Sequence, residues 1–179
     1  MHSTRSELLA DKILSLAILQ VISIVASLMK NCRGNQRSRL VSKFTEADHE
    51  KVERVMELHF KYLDKVHASD EEHAARKRAR DEEEDEDEDE AYMRRIENGL
   101  FQLQLVDYII VEACASGAAS VKQRVTLILG QRNASITTIR NIVREYAGNL
   151  GETAGEGASD DESAKNSERQ YLLHLVDKF

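Results

Sequence analysis

No proline interrupts any of the 179 residues, although average usage of about 5% would place roughly nine in a chain of this length. Proline lacks an amide hydrogen and clashes with the preceding helical turn, so it marks the breaks between short elements. A chain without it, holding only 8 glycines, is free to run long helices joined by short turns. The expected fold class is all-α.

Apolar spacing divides the chain into helices. Thr4-Arg5-Ser6-Glu7 has the spacing of a capping box and predicts a first helix from about Arg5 to Met29. A turn at residues 31–35, with Gly34 free to take a left-handed conformation, leads to a short helix from about Gln36 to Phe44. Thr45-Glu46-Ala47-Asp48 reads as the next N-cap. The helix behind it carries Val52, Val55, His59, Tyr62 and Val66 at alternating spacings of three and four, one buried stripe on a charged rod. His59 on that stripe is expected to be a hydrogen-bonded core histidine. The periodicity ends at Ala68, and order is expected to return near Tyr92 in a single helix from about Ala91 to Ser116 with apolar residues on two faces, the pattern of a helix with neighbours on both sides. Ser120 and Ser135 are read as caps of two further helices, and a last one from about Ser167 docks through Leu172, Leu175, Val176 and Phe179.

The expected architecture is therefore six to seven helices. A helical domain over 1–150 carries an acidic, disordered insertion at about 70–90; a flexible linker, 151–166, precedes a docking helix at 167–179. Helices that stack without a sheet or a regular short repeat fit the end, or cap, of a helical solenoid better than a four-helix bundle.

The formal charge of -7 conceals an asymmetry, because residues 81–90 (DEEEDEDEDE) are all acids. Setting those ten aside leaves 22 acids against 25 lysines and arginines, so the remainder is mildly basic. Cys32 and Cys114 have no CxxC partner and suggest a reducing, intracellular compartment. The uncharged stretch from Ile13 to Met29 is at the lower limit for spanning a bilayer and is broken by Ser15, Gln20, Ser23 and Ser27. It reads as a core helix covered on several sides, not as a membrane segment.

Catalytic and metal signatures do not emerge. None of the six histidines forms an i,i+4 pair; His49-Glu50 begins like a zinc-protease helix, but position 53 is glutamate where a second imidazole is needed. No GxSxG and no phosphate-binding GxxxxGK[ST] occurs. The reading is of a non-enzymatic chain without metal or cofactor. What remains are two basic runs free of intervening acids in their cores. The first, within 30–43, offers Arg33, Arg37, Arg39 and Lys43 as candidate partner-binding cations, because the apolar side of the same helix (Leu40, Val41, Phe44) is committed to the core. The second, within 122–144, holds Lys122, Arg124, Arg132, Arg140 and Arg144. Such clusters recognise acidic protein segments or phosphates through charge-assisted hydrogen bonds, so a nucleic-acid-binding helical module is the alternative function.

Residues 31–63 (NCRGNQRSRLVSKFTEADHEKVERVMELHFKYL), 91–117 (AYMRRIENGLFQLQLVDYIIVEACASG) and 123–151 (QRVTLILGQRNASITTIRNIVREYAGNLG), with the terminal RQYLLHLVDKF, resemble the C-terminal part of the beta-catenin-like family of nuclear armadillo-type proteins. The resemblance implies an α-solenoid, nuclear localisation and membership of a spliceosome-associated complex. It also implies a scaffold role, with protein partners that include a Myb-like splicing subunit and other basic localisation-type segments. The family's partner groove is expected in the repeats that precede this segment, so none of its binding residues is carried onto a position here.

Overall fold

The computed structural model describes residues 3–80, 88–150 and 160–179. Among them are eight α-helices and no strand: α1 (Ser3–Asn31), α2 (Gly34–Ser42), α3 (Glu50–Arg80), α4 (Glu88–Glu97), α5 (Leu100–Ser116), α6 (Ala119–Gln131), α7 (Ile136–Asn149) and α8 (Asp160–Lys178). The all-α fold expected from the sequence is the architecture observed, with eight helices where six to seven were expected. Most of the acidic run, residues 81–87, lies outside the described residues, as do 151–159 of the expected linker and the side chains of the capping box.

α5 is the axis of the molecule. Every residue from Leu103 to Cys114 is buried, because α1, α3, α6, α7 and α8 pack around it. A helix apolar nearly all round must be enclosed in this way. The expected neighbours on two sides become a full ring. Cys114 belongs to this core, where burial pushes its thiol up to about 12.

The long helix expected from Ala91 to Ser116 is two helices. The break is Gly99, whose φ of 102° is a conformation that side-chain-bearing residues rarely adopt, and a Cβ there would lie 3.0 Å from Cδ1 of the buried Tyr62 ring. Gly99→Ala is accordingly expected to destabilise the chain by about 1–3 kcal/mol. Chemical denaturation checks this; a change within a few tenths would show that the turn relaxes freely.

α3 also departs from its expected limit. It continues past Ala68 to Arg80, because a proline- and glycine-free run of good helix formers propagates an existing helix at little cost. Exposed Arg76 pairs with Glu72 one turn back at 2.5 Å. The turn leading into α3 passes through Ala47, Asp48 and His49, all with positive φ. Ser120 is not the cap of α6; that position is Ala118, and the Ser120 hydroxyl meets the His49 ring at 3.0 Å. Ser135 does cap α7, its oxygen accepting from the Thr137 amide at 3.1 Å. α8 begins at Asp160 rather than Ser167, and Leu172, Leu175, Val176 and Phe179 are buried on the body as expected.

The largest correction concerns α1. Its expected burial on several sides is not observed: Ile22, Ala26 and Met29 are buried on one face, whereas Leu9, Ile13, Leu14, Leu16, Val21 and Ile24 are each more than half exposed. Residues Lys12–Asn31 are long and apolar enough to cross a membrane by length and composition. In the fold they are held against α5 along one stripe.

Candidate functional site

The four cations singled out in the sequence lie where α1 turns into α2, beside the end of α5 and the middle of α8. They have different surroundings. Arg33, the residue before α2, is exposed and folds back to donate from Nη1 to the carbonyls of Lys30 and, at 3.0 Å, Cys32, closing the C-terminal end of α1. Arg39 is exposed on the last turn of α2. Lys43, also exposed, donates to Glu46 at 2.6 Å. That hydrogen bond holds the Glu46 carboxyl below its ordinary value.

Arg37 points the other way. Its guanidinium forms an ion pair with Glu112, a fully buried acid on α5, and donates to the Met29 carbonyl and, at 2.9 Å, to Ser116 Oγ. Glu112 further accepts from Ser116 Oγ at 2.6 Å and from Tyr171 OH at 2.7 Å. The group expected to be free for a partner is thus a bridge joining α1, α2, α5 and α8. It turns inward because Glu112, deep in an otherwise apolar ring, needs a cation, and α2 is the element that crosses the end of α5.

Lys30 makes a parallel clamp in the last turn of α1. Its ammonium pairs with Glu168 of α8, reaches Tyr146 OH of α7 at 3.3 Å and lies 5.5 Å from the centre of the Tyr108 ring. Burial alone would lower its pKa, but the bond to Glu168 and the two interactions with Tyr146 outweigh it and hold the ammonium above its ordinary value. Lys30, Arg33, Arg37, Glu168 and Tyr171 line a cavity of ≈ 820 Å³ between α8 and the α1–α2 corner. Its charges are mostly paired within the protein. Of the four candidate cations, Arg33, Arg39 and Lys43 are exposed.

The second basic run does not converge on one surface. Arg124 pairs with Glu53, Arg144 with Asp177 at 3.4 Å, Lys122 lies 5.8 Å from the centre of the Phe179 ring and Arg132 4.9 Å from that of Phe60. These cations join α6 and α7 to α3 and to the C-terminal end. Among the described residues no group of three His, Cys, Asp or Glu side chains could hold a metal ion.

A deeper polar pair escaped the sequence reading in part. His59 is a hydrogen-bonded core histidine, as expected, and its partner is Asp107 of α5: Nδ1 and Oδ1 are 2.6 Å apart and both residues are fully buried. Burial raises the Asp107 carboxyl above its ordinary value, with His59 opposing the shift. Two acids inside the apolar run LQLVDYIIVEACA were the available signal for both buried pairs, since an enclosed helix keeps a carboxylate only with a partner.

The family described as catenin-beta-like, Arm-motif containing, nuclear matches residues 11–144. The chain belongs to this family. Beta-catenin-like protein 1 of Bos taurus is 46% identical over 163 residues, covering 89% of this chain and 28% of the relative. The Homo sapiens and Mus musculus proteins of that name are each 44% identical over the same span. The chain therefore spans 28% of the length of the curated relatives it matches, in their C-terminal part. For a catenin-beta-like chain, the ring of helices around α5 is part of an armadillo-like array, and the family is a nuclear one.

Proposed function

We propose that the chain is a non-enzymatic protein-interaction module that closes the C-terminal end of an armadillo stack in a nuclear, pre-mRNA-splicing assembly. The observation that carries this is the asymmetry of the molecule's two sides. On one, α8 seals the core with Leu172, Leu175, Val176 and Phe179, all buried, and its outer face is mostly polar, with Arg169, Gln170, His174, Asp177 and Lys178 exposed beside Tyr171 and Leu173. On the other, α1 presents uncovered apolar side chains, the surface a preceding unit of a stack covers. In repeat arrays each unit contacts only its neighbours, and the terminal one must carry a polar outer face. Mixing the purified chain with a fragment of the bovine relative lacking only the region matched here is expected to give a 1:1 complex by sedimentation. Failure of the two to associate, each being folded, would remove the stack-closing role.

Within this role the exposed cations Arg33, Arg39 and Lys43 fit an acidic segment of a protein partner, while basic localisation-type segments, such as that of a Myb-like splicing subunit, engage the preceding repeats. The alternative of nucleic-acid binding through the basic runs 30–43 and 122–144 is disfavoured, because Lys30 and Arg37 of the first are paired with Glu168 and Glu112 and Arg124, Arg144, Lys122 and Arg132 of the second are held by Glu53, Asp177, Phe179 and Phe60. The double reversal Arg39→Glu with Lys43→Glu is expected to lower recovery of splicing proteins from nuclear extract about tenfold, since several rim charges act together on association. Stability should change by no more than about 1 kcal/mol, as for exposed charges in general. Equal recovery at low salt, with matched circular dichroism, would return these cations to an ordinary solvated face.

A further inference from the structure

Residues 76–80 (RKRAR) hold four cations in five positions, a density that no other five consecutive residues of the chain reach. The fold carries them on an arm of α3. No residue of that helix from His67 to Ala79 is buried, and Arg94 and Arg95 of α4 tie it at Ser69 and Asp70, about two turns before the cations. Arg76 and Arg78 are exposed and are held by their own helix: Arg76 pairs with Glu72, and Arg78 Nε donates to the Ala74 carbonyl at 3.2 Å. Lys77 is half-buried. We propose that residues 76–80 are a nuclear-import signal, read as an extended segment by a receptor whose groove offers acidic side chains. The inference rests on the sequence and exposure of this arm and not on the stack-closing role.

Short runs dense in lysine and arginine are read by import receptors or by nucleic acid, and the family is a nuclear one. Nucleic acid presents its charge as a long track, one phosphate charge per about 1.7 Å of duplex, and the ten acids at 81–90 would follow the cations onto it. A receptor groove needs only the short segment, whose cations it takes by charge-assisted hydrogen bonds. As a helix the segment cannot offer them all to one surface, because successive residues point about 100° apart. Extended, it sends them alternately to the two walls of a groove. Opening this end of α3 costs little, since no buried side chain is lost beyond Val66 and an exposed pair such as Arg76 with Glu72 contributes little. Until a receptor takes them, the cations favour the helix by lying at its C-terminal end. Arg39 and Lys43 have no such freedom, because Val41 and Phe44 beside them are buried in the core and hold α2 in place.

The test is import of the full chain, fused to a reporter too large to diffuse through the nuclear pore, into permeabilised cells supplied with purified import receptors. The parent is expected to accumulate in nuclei. Lys77→Ala with Arg78→Ala should lower that accumulation about tenfold, because neighbouring charges act together on association, with circular dichroism unchanged. Arg39→Ala with Lys43→Ala should enter like the parent. A parent that stays outside overturns the proposal, as does a Lys77→Ala, Arg78→Ala variant that enters equally well. An equal loss in the Arg39→Ala, Lys43→Ala variant would show a response to overall charge and overturns it also. Binding of the unfused chain to the purified receptor, with a basic reference peptide as competitor, reads the segment directly. Ala75→Gly weakens the helix without removing a cation and is expected to tighten that binding a few-fold, by populating the open segment. Weaker binding would mean that the helix itself is read, against the extended form proposed. Retention of the parent on single-stranded RNA at physiological salt, without receptor binding, assigns the segment to nucleic acid and overturns the proposal. Failure of the trans complex with the bovine fragment bears only on stack closing; failure of import bears only on this inference.

Discussion

Arg37→Ala is expected to lower the stability of the chain by about 3–5 kcal/mol, the loss seen when one member of a buried ion pair is removed. The Arg37 side chain is 23% exposed and that of Glu112 not at all. Without the guanidinium, the Glu112 carboxylate would retain only the hydroxyls of Ser116 and Tyr171 in a ring of aliphatic side chains. The Met29 carbonyl and one tie between α2 and α5 would be lost with it. Arg37→Lys should recover only part of the loss, because a single ammonium cannot reach Met29, Ser116 and Glu112 together as the planar fork does. Replacing both partners, as Arg37→Met with Glu112→Leu, should recover most of it, since an apolar pair leaves no buried charge behind. Arg39→Ala, on the same helix and exposed, is expected to cost about 0–1 kcal/mol. Urea denaturation of the four variants decides the matter. If Arg37→Ala and Arg39→Ala cost the same, the inward bridge is no stronger than a solvent contact.

The contrast between Arg37 and Arg39 also shows what the sequence could and could not convey. Both belong to the same acid-free run, and the spacing of Leu40, Val41 and Phe44 correctly turned one side of α2 to the core. Which of the two cations meets a buried acid depends on where α2 crosses α5, and Glu112 is far along the chain from either. Local pattern is blind to such a crossing. For α5 the sequence was more informative, because an apolar stretch too rich for one buried face requires neighbours all round. Gly99 divided it from α4 through its positive φ against Tyr62, a close approach that only the packed structure creates. α1 misled for the opposite reason. An uncharged stretch states that its surface must be covered, but not whether this chain, another unit of a stack or a second copy provides the cover. Past Ala68 the loss of apolar periodicity was rightly read as loss of burial. It did not entail loss of helix, because a run of good helix formers without proline or glycine propagates an existing helix, tied to α4 at Asp70 by Arg94 and Arg95 at 2.9 and 3.6 Å.

His59→Leu is expected to lower stability by about 1–3 kcal/mol, the penalty of leaving a buried polar group without its hydrogen-bond partner. It leaves the fully buried Asp107 carboxyl without the ring nitrogen that lies 2.6 Å from its Oδ1. Asp107→Asn should cost less. The amide has the same size, keeps an oxygen for the imidazole and carries no charge to desolvate, so its cost near pH 4 is expected to stay within about 1–2 kcal/mol, the scale of one neutral hydrogen bond. The two proteins, parent and Asp107→Asn, also separate with pH. Burial raises the Asp107 carboxyl above its ordinary value, so the folded chain holds this proton more tightly than the unfolded one. The stabilisation this gives is fully present below the unfolded value of about 3.9 and is lost as pH rises from there through the raised folded value. The amide variant has no such proton to lose, so its stability relative to the parent should improve steadily above pH 4. Guanidinium denaturation of both proteins across that range measures the difference. A parent that gains on the variant as pH rises would mean that the His59 interaction overcomes burial and that the pair is stabilised as ions.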